Sequence, residues 1–124
     1  MKVLVVDDEK DVQDLFEQRF RKEIRSQEIM FAFAYSGEEA LGYLGQCDHE
    51  AVLILSDINM PGMSGLELLK RIREEHHEPP PLVMMITAYG DAENYNMAMR
   101  LGANDFLTKP LDFSILKSKL KAVQ

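Results

Sequence analysis

Several short apolar runs in this chain each lead, directly or one residue on, into a residue able to do chemistry. Val3–Val6 runs into Asp7 and Asp8, Val52–Leu55 into Asp57, Leu82–Ile86 into Thr87, and Phe106–Leu107 into Lys109. Singly, each has an ordinary use: an aspartate can cap a helix, a threonine suits a strand end, and a lysine suits solvent. Brought together, they form a different object. Like charges about 4 Å apart repel by roughly 4 kcal/mol at an effective dielectric near 20, so three convergent carboxylates call for a cation. Hard oxygen donors suit Mg²⁺ or Mn²⁺, and Mg²⁺ is usually held by one or two carboxylates plus waters and a phosphate. A hydroxyl and an ammonium beside such a cluster fit the oxygens of a phosphoryl group.

Whether these residues meet depends on the elements that carry them. The stretch AVLIL before Ser56 and Asp57, closed by the Pro61–Gly62 turn, reads as a strand buried on both faces. Five such runs occur, the second being Ile29–Ala34. Segments of helical period separate them. Val12, Leu15, Phe16 and Phe20 mark one face of a first helix. Ser36 with Glu39 and Ser64 with Glu67 have capping-box spacing and open the second and third. Met97 and Leu101 line a fourth, which Gly102 can close in a left-handed cap. Phe113, Leu116, Leu120 and Val123 line a fifth.

Strands alternating strictly with helices imply a parallel sheet covered on both faces. The expected fold is therefore a doubly wound α/β, (βα)5 flavodoxin-like sandwich with strand order 2-1-3-4-5; a (β/α)8 barrel needs about twice the length. In that order the first and third strands are neighbours, and ligands bind at the carboxyl ends where the order reverses. Asp7, Asp8 and Asp57 then converge, flanked by Thr87 and Lys109.

The 124 residues suit one domain, 1–124, which either stands alone or forms the front of a longer protein. A net charge of −7 argues against a nucleic-acid surface. No apolar run is long enough for a membrane span or signal-peptide core. The single Cys47 forms no internal disulfide and fits a reducing cytoplasm.

Four motifs, each at the end of a βα unit, carry a resemblance over the whole chain: VLVVDDE (Val3–Glu9), LSDINMPGMSG (Leu55–Gly65), ITA (Ile86–Ala88) and FLTKP (Phe106–Pro110). The chain resembles the receiver domains of two-component response regulators. The resemblance implies that Asp57 accepts a phosphoryl group from a phosphohistidine on a sensor histidine kinase or phosphotransfer protein. It implies that Asp8, Asp57 and the Asn59 carbonyl ligate Mg²⁺, with Asp7 acting through water. Lys109, the Thr87 hydroxyl and the Ala88 N–H would cradle the phosphoryl oxygens. Thr87 and Phe106 would act as the switch that alters the face of the fourth helix, fifth strand and fifth helix, where partners or a second copy would bind. Asn59 and Tyr89 would tune water access. Such a domain assists only its own phosphorylation and dephosphorylation and turns over no external substrate. The Lys109–Pro110 bond is expected to be cis, as in receiver domains.

Three other readings compete. A haloacid-dehalogenase type hydrolase needs a second aspartate two residues after the nucleophile, where this chain has Asn59. An FMN binder of the same fold would find Asp7 and Asp8 repelling its phosphate. A degenerate receiver, acting only as a binding module, would lack an acidic or lysine position, and none is missing. His76 and His77 fall in a Pro-rich stretch and read as solvated loop; the methionines read mostly as core filler, and Lys117, Lys119 and Lys121 as a solvated helix face.

Overall fold

The computed structural model describes residues 1–46, 53–75, 80–88 and 91–123. Cys47, Val52, His76, His77 and Tyr89 lie outside them. Five strands, β1 (Lys2–Val6), β2 (Met30–Ala34), β3 (Leu53–Asp57), β4 (Leu82–Ala88) and β5 (Asp105–Lys109), pair in parallel in the order β2-β1-β3-β4-β5, as expected. The helices are α1 (Asp11–Arg19), α2 (Arg21–Arg25), α3 (Gly37–Gln46), α4 (Gly65–Glu75), α5 (Ala92–Arg100) and α6 (Phe113–Ala122).

Among the described residues six helices stand where five were expected, because the first is broken at Phe20 (φ −110°, ψ 22°). Hydrogen bonds still cross the break, from Phe20 N–H to the Phe16 carbonyl and from Ile24 N–H to the Phe20 carbonyl. The expected fourth and fifth helices are thus α5 and α6.

Winding reverses after β2, so right-handed crossovers send α1 to one face of the sheet and α3, α4 and α5 to the other. Alternate strand residues feed the two layers. Leu4, Val6, Ile54, Val83 and Met85 pack with Leu44, Leu68, Ile72 and Ala98 of α3, α4 and α5. Val3, Val5, Leu55, Met84 and Ile86 pack with Phe16, Phe20, Leu116 and Leu120 on the other side. There Phe16 and Phe20 meet Phe31 and Phe113 in a connected set of ring contacts.

The local signals hold with some corrections. Ser36 and Ser64 accept the Glu39 and Glu67 N–H groups at 3.1 and 3.2 Å. Gly102 takes a left-handed φ of 102° after α5, with Ala103 N–H donating to the Ala98 carbonyl. Leu15, Met97 and Val123, expected on apolar faces, are exposed, and Phe16, Ala98 and Leu120 take the buried places. Met60, Met63, Met84 and Met85 are core, whereas Met30, Met97 and Met99 are exposed. Lys117 and Lys119 are not simply solvated: Lys117 pairs with Glu23 at 3.4 Å and Lys119 with Asp105 at 2.7 Å. Among the described residues no helix is long and apolar enough to cross a membrane.

Candidate functional site

Register decides which strand ends meet. Val6 of β1 stands beside Ser56 of β3, so Asp7 and Asp8 emerge next to Asp57, at the point where the strand order reverses. On the other side Asp57 stands beside Ile86, which precedes Thr87, and Ala88 stands beside Lys109. The expected residues are therefore assembled by backbone pairing alone.

Asp57 is buried at the last position of β3. Its Oδ2 accepts a hydrogen bond from Lys109 Nζ at 2.9 Å, and its Oδ1 accepts from the Asn59 N–H at 3.3 Å. The loop after it is tightly bent. Ile58 N–H donates to the Ile86 carbonyl at 3.0 Å, and Gly65 N–H returns to the Ile58 carbonyl at 2.8 Å. Gly62 supplies the left-handed φ of 73° that a Pro-Gly turn of this kind requires. A Cβ on Gly65 would collide with the Asp57 carbonyl oxygen, so only glycine lets α4 start this close to the strand end.

Asp7 is buried as well, and its Oδ1 accepts the Glu9 N–H at 2.9 Å. Neither Asp7 nor Asp8 caps α1; Lys10 holds that position without a side-chain cap. One carboxylate oxygen from each of Asp7, Asp8 and Asp57 lies within 4.8 Å of the other two, with Asp8 exposed. Burial pushes the Asp7 carboxyl above its ordinary value of 3.8; the Glu9 N–H pulls it down, and the Asp57 charge raises it further. For Lys109, burial disfavours the charged form, but the hydrogen bond to Asp57 and the charges of Asp57, Asp7 and Glu9 outweigh it and raise the ammonium above 10.5.

The donor set fits a hard divalent cation. It is all oxygen, it carries excess negative charge that one ammonium leaves uncompensated, and its exposed member leaves one side open to water. The Thr87 hydroxyl adds a second observation. It is buried and has no hydrogen-bond partner among the described residues, an arrangement costing about 1–3 kcal/mol unless an acceptor arrives. Ala88, next along, is exposed, and its carbonyl accepts the Asp91 N–H at 3.2 Å.

Phe106 lies half-buried on the α3, α4 and α5 side of the sheet, beside Met85 on the neighbouring strand. The Lys109–Pro110 bond is cis, as expected. Two contacts outside the acidic cluster had no local signal in the sequence. One is the ring of Tyr95 packed on Phe106. The other is Arg73 of α4, which donates to the Pro81 and Gly102 carbonyls and to Asn104 Oδ1, tying α4 to the segments that lead into β4 and β5, at the end of the sheet opposite the cluster.

Comparison with known proteins agrees with this geometry. The family model described as "Response regulator receiver domain" matches residues 3–121. Response regulator RppA of Synechocystis sp. is 34% identical over 124 residues, the whole of this chain and 50% of that protein. Response regulator protein PilR of Pseudomonas aeruginosa is 38% identical over 119 residues, 94% of this chain and 24% of that protein. The structure of the chemotaxis protein CheY4 of Vibrio cholerae is similar with a TM-score of 0.82 at 27% identity, covering 99% of this chain and 98% of that one. The chain belongs to the response regulator receiver domain family. It is a receiver domain of the two-component signalling type, and it spans half or less of the length of RppA and PilR. Receiver domains of this family bind Mg²⁺ in their acidic pocket and interact with histidine kinases or phosphotransfer proteins.

Proposed function

We propose that Asp57 is the phosphoacceptor. The observation that carries this reading is the buried Asp57 carboxylate held 2.9 Å from Lys109 Nζ within a cluster shared with Asp7 and Asp8. Phosphoryl transfer is mostly positioning plus neutralisation of charge on the equatorial oxygens. A Mg²⁺ held by Asp8, Asp57 and the Asn59 carbonyl, with Asp7 reaching it through water, would neutralise charge on the incoming group; Mn²⁺ suits the same donors. The rigid strand end aims an Asp57 oxygen at the phosphorus of a phosphohistidine on a sensor histidine kinase or phosphotransfer protein. The P–N bond breaks as the P–O bond forms, and the imidazole leaves with the electron pair. Lys109 pairs with the transferred oxygens, and the Thr87 hydroxyl and Ala88 N–H donate to them.

Donation by Thr87 satisfies its orphaned hydroxyl and opens room beside β4. Phe106 is the large neighbour on β5 able to move into it. That repacks the face of α5, β5 and α6, where a partner or a second copy would read the state. Asn59 and Tyr89, two positions after Asp57 and Thr87 in the sequence, tune hydrolysis of the acyl phosphate. The domain acts only on its own phosphoryl group, works in the cytoplasm, and makes no contact with nucleic acid or membrane.

The test is incubation with acetyl phosphate and Mg²⁺. One base-labile phosphoryl group is expected by intact mass, and Asp57→Asn should abolish it. A stable adduct on serine, threonine or histidine overturns the reading.

A further inference from the structure

The rings of Tyr95 and Phe106 lie with centroids 4.1 Å apart and planes tilted by 57°. Both are half-buried, and Phe106 has no polar atom, so packing alone decides where its ring rests. Tyr95 sits in the first turn of α5, where its N–H donates to the Asp91 carbonyl at 3.1 Å. Asp91 caps that helix: its Oδ1 accepts the Asn94 N–H at 3.1 Å and its Oδ2 the Asn94 side-chain amide at 2.6 Å. The Asp91 N–H donates to the carbonyl of Ala88, at 3.2 Å. Ala88 follows Thr87 directly. Two backbone hydrogen bonds and one well-capped helix turn thus run from the residue beside Thr87 to the ring that covers Phe106.

A neighbour that touches a side chain in only one of its two arrangements biases the equilibrium between them. We infer that Tyr95 is a positioning residue for the switch: its ring holds Phe106 in the arrangement seen here, and a pull on Ala88 and Asp91 when Thr87 engages a phosphoryl group releases it. This rests on the phosphoacceptor reading of Asp57. It adds a residue outside the phosphorylation site that sets how far the unphosphorylated domain resembles the phosphorylated one. Linkage makes the effect measurable at Asp57 itself, because whatever biases Phe106 against the switched arrangement must weaken binding of a phosphoryl mimic by the same factor.

The experiment titrates beryllofluoride with Mg²⁺ into the wild type and into Tyr95→Phe, Tyr95→Leu and Tyr95→Ala, while NMR follows the Phe106 ring. Tyr95→Ala and Tyr95→Leu should bind about 3- to 10-fold tighter, and their free-state Phe106 signals should move toward the positions of the bound wild type. Tyr95→Phe keeps the ring and should match the wild type in both respects. Tyr95→Leu retains apolar volume and guards against simple loss of the fold. A purely structural role would leave affinity at Asp57 unchanged. Equal affinities across the variants, with unmoved Phe106 signals, overturn the inference alone. Failure of the wild type to bind beryllofluoride overturns the phosphoacceptor reading and this inference with it.

Discussion

Lys109 Nζ and Asp57 Oδ2 lie 2.9 Å apart although 52 positions separate the two residues, so the ends of β3 and β5 are joined by one charged hydrogen bond. With β4 lying between these strands, the lysine reaches over the sheet edge to the most buried carboxylate of the cluster.

Removing that ammonium leaves three carboxylates facing one another. Lys109→Met should lower stability by about 1–2 kcal/mol in EDTA at neutral pH, less than the roughly 3–5 kcal/mol of a fully buried pair because the lysine side chain is 42% exposed. The folded state raises the lysine pKa above 10.5, so its contribution is complete below 10.5 and fades as pH rises through the raised value. Denaturation midpoints of the two proteins should therefore converge in strong alkali. A constant gap across that range would sink the assignment.

Asp7 should behave in the opposite way. Burial raises its carboxyl above 3.8, so the folded state binds its proton more tightly than the unfolded chain does. Stability then falls as pH rises from 3.8 through the folded value, and the cost persists at neutral pH. Asp7→Asn should be more stable than the wild type in EDTA by on the order of 1 kcal/mol, since an amide oxygen still accepts the Glu9 N–H at Asp7 Oδ1. The advantage should vanish below pH 3.8. A variant less stable than the wild type at neutral pH contradicts the argument.

Much of this could be read from the chain, for a physical reason. Parallel strands buried on both faces appear as unbroken apolar runs, and strict alternation with helices leaves few sheet orders to consider. Asp7, Asp8, Asp57, Thr87 and Lys109 each come at the end of a run, and the strand order brings them together. The break at Phe20 was invisible because the apolar spacing of Phe16 and Phe20 continues through it. Arg73 carries no local signal, since its acceptors at Gly102 and Asn104 are 29 and 31 residues away. Tyr95 on Phe106 and Lys119 on Asp105 were missed likewise: contacts between separate elements leave no periodic trace.

Gly65 offers a steric test. A Cβ there would meet the Asp57 carbonyl oxygen and stand 2.8 Å from Ile58 Cα, both backbone atoms that cannot turn aside. Gly65→Ala should cost about 2–3 kcal/mol by overpacking and should also weaken phosphorylation, because the strain falls on Asp57, the proposed phosphoacceptor. Gly42, exposed within α3, has nothing within 4 Å of a built Cβ. Gly42→Ala should therefore stabilise the protein by roughly 0.5–1 kcal/mol through helix propensity and leave phosphorylation unchanged. Equal effects at the two positions, by urea denaturation and by rate with acetyl phosphate, would contradict the packing described.

The final prediction concerns the cation itself. Oxygens of Asp7, Asp8 and Asp57 lie within 4.8 Å of one another, with the Asn59 backbone bonded to Asp57 and Lys109 compensating one charge. A divalent ion offsets the cost of keeping the buried Asp7 charged and its repulsion by Asp57, so binding and folding are coupled, and added Mg²⁺ should raise the thermal midpoint with its concentration. Titrated Mg²⁺ should shift backbone NMR signals near residues 7–9, 57–59 and 87 and leave those of α6 in place. Asp8→Asn removes a carboxylate that is exposed, so it should weaken the ion by at least about tenfold while changing stability in EDTA little. Asp7→Asn should do the reverse: a clear gain in stability without the ion and a smaller loss of affinity, as the proposed contact through water requires. If the site signals stay still at concentrations on the order of tens of millimolar, where even weakly held Mg²⁺ should register, the three aspartates are not a cation site.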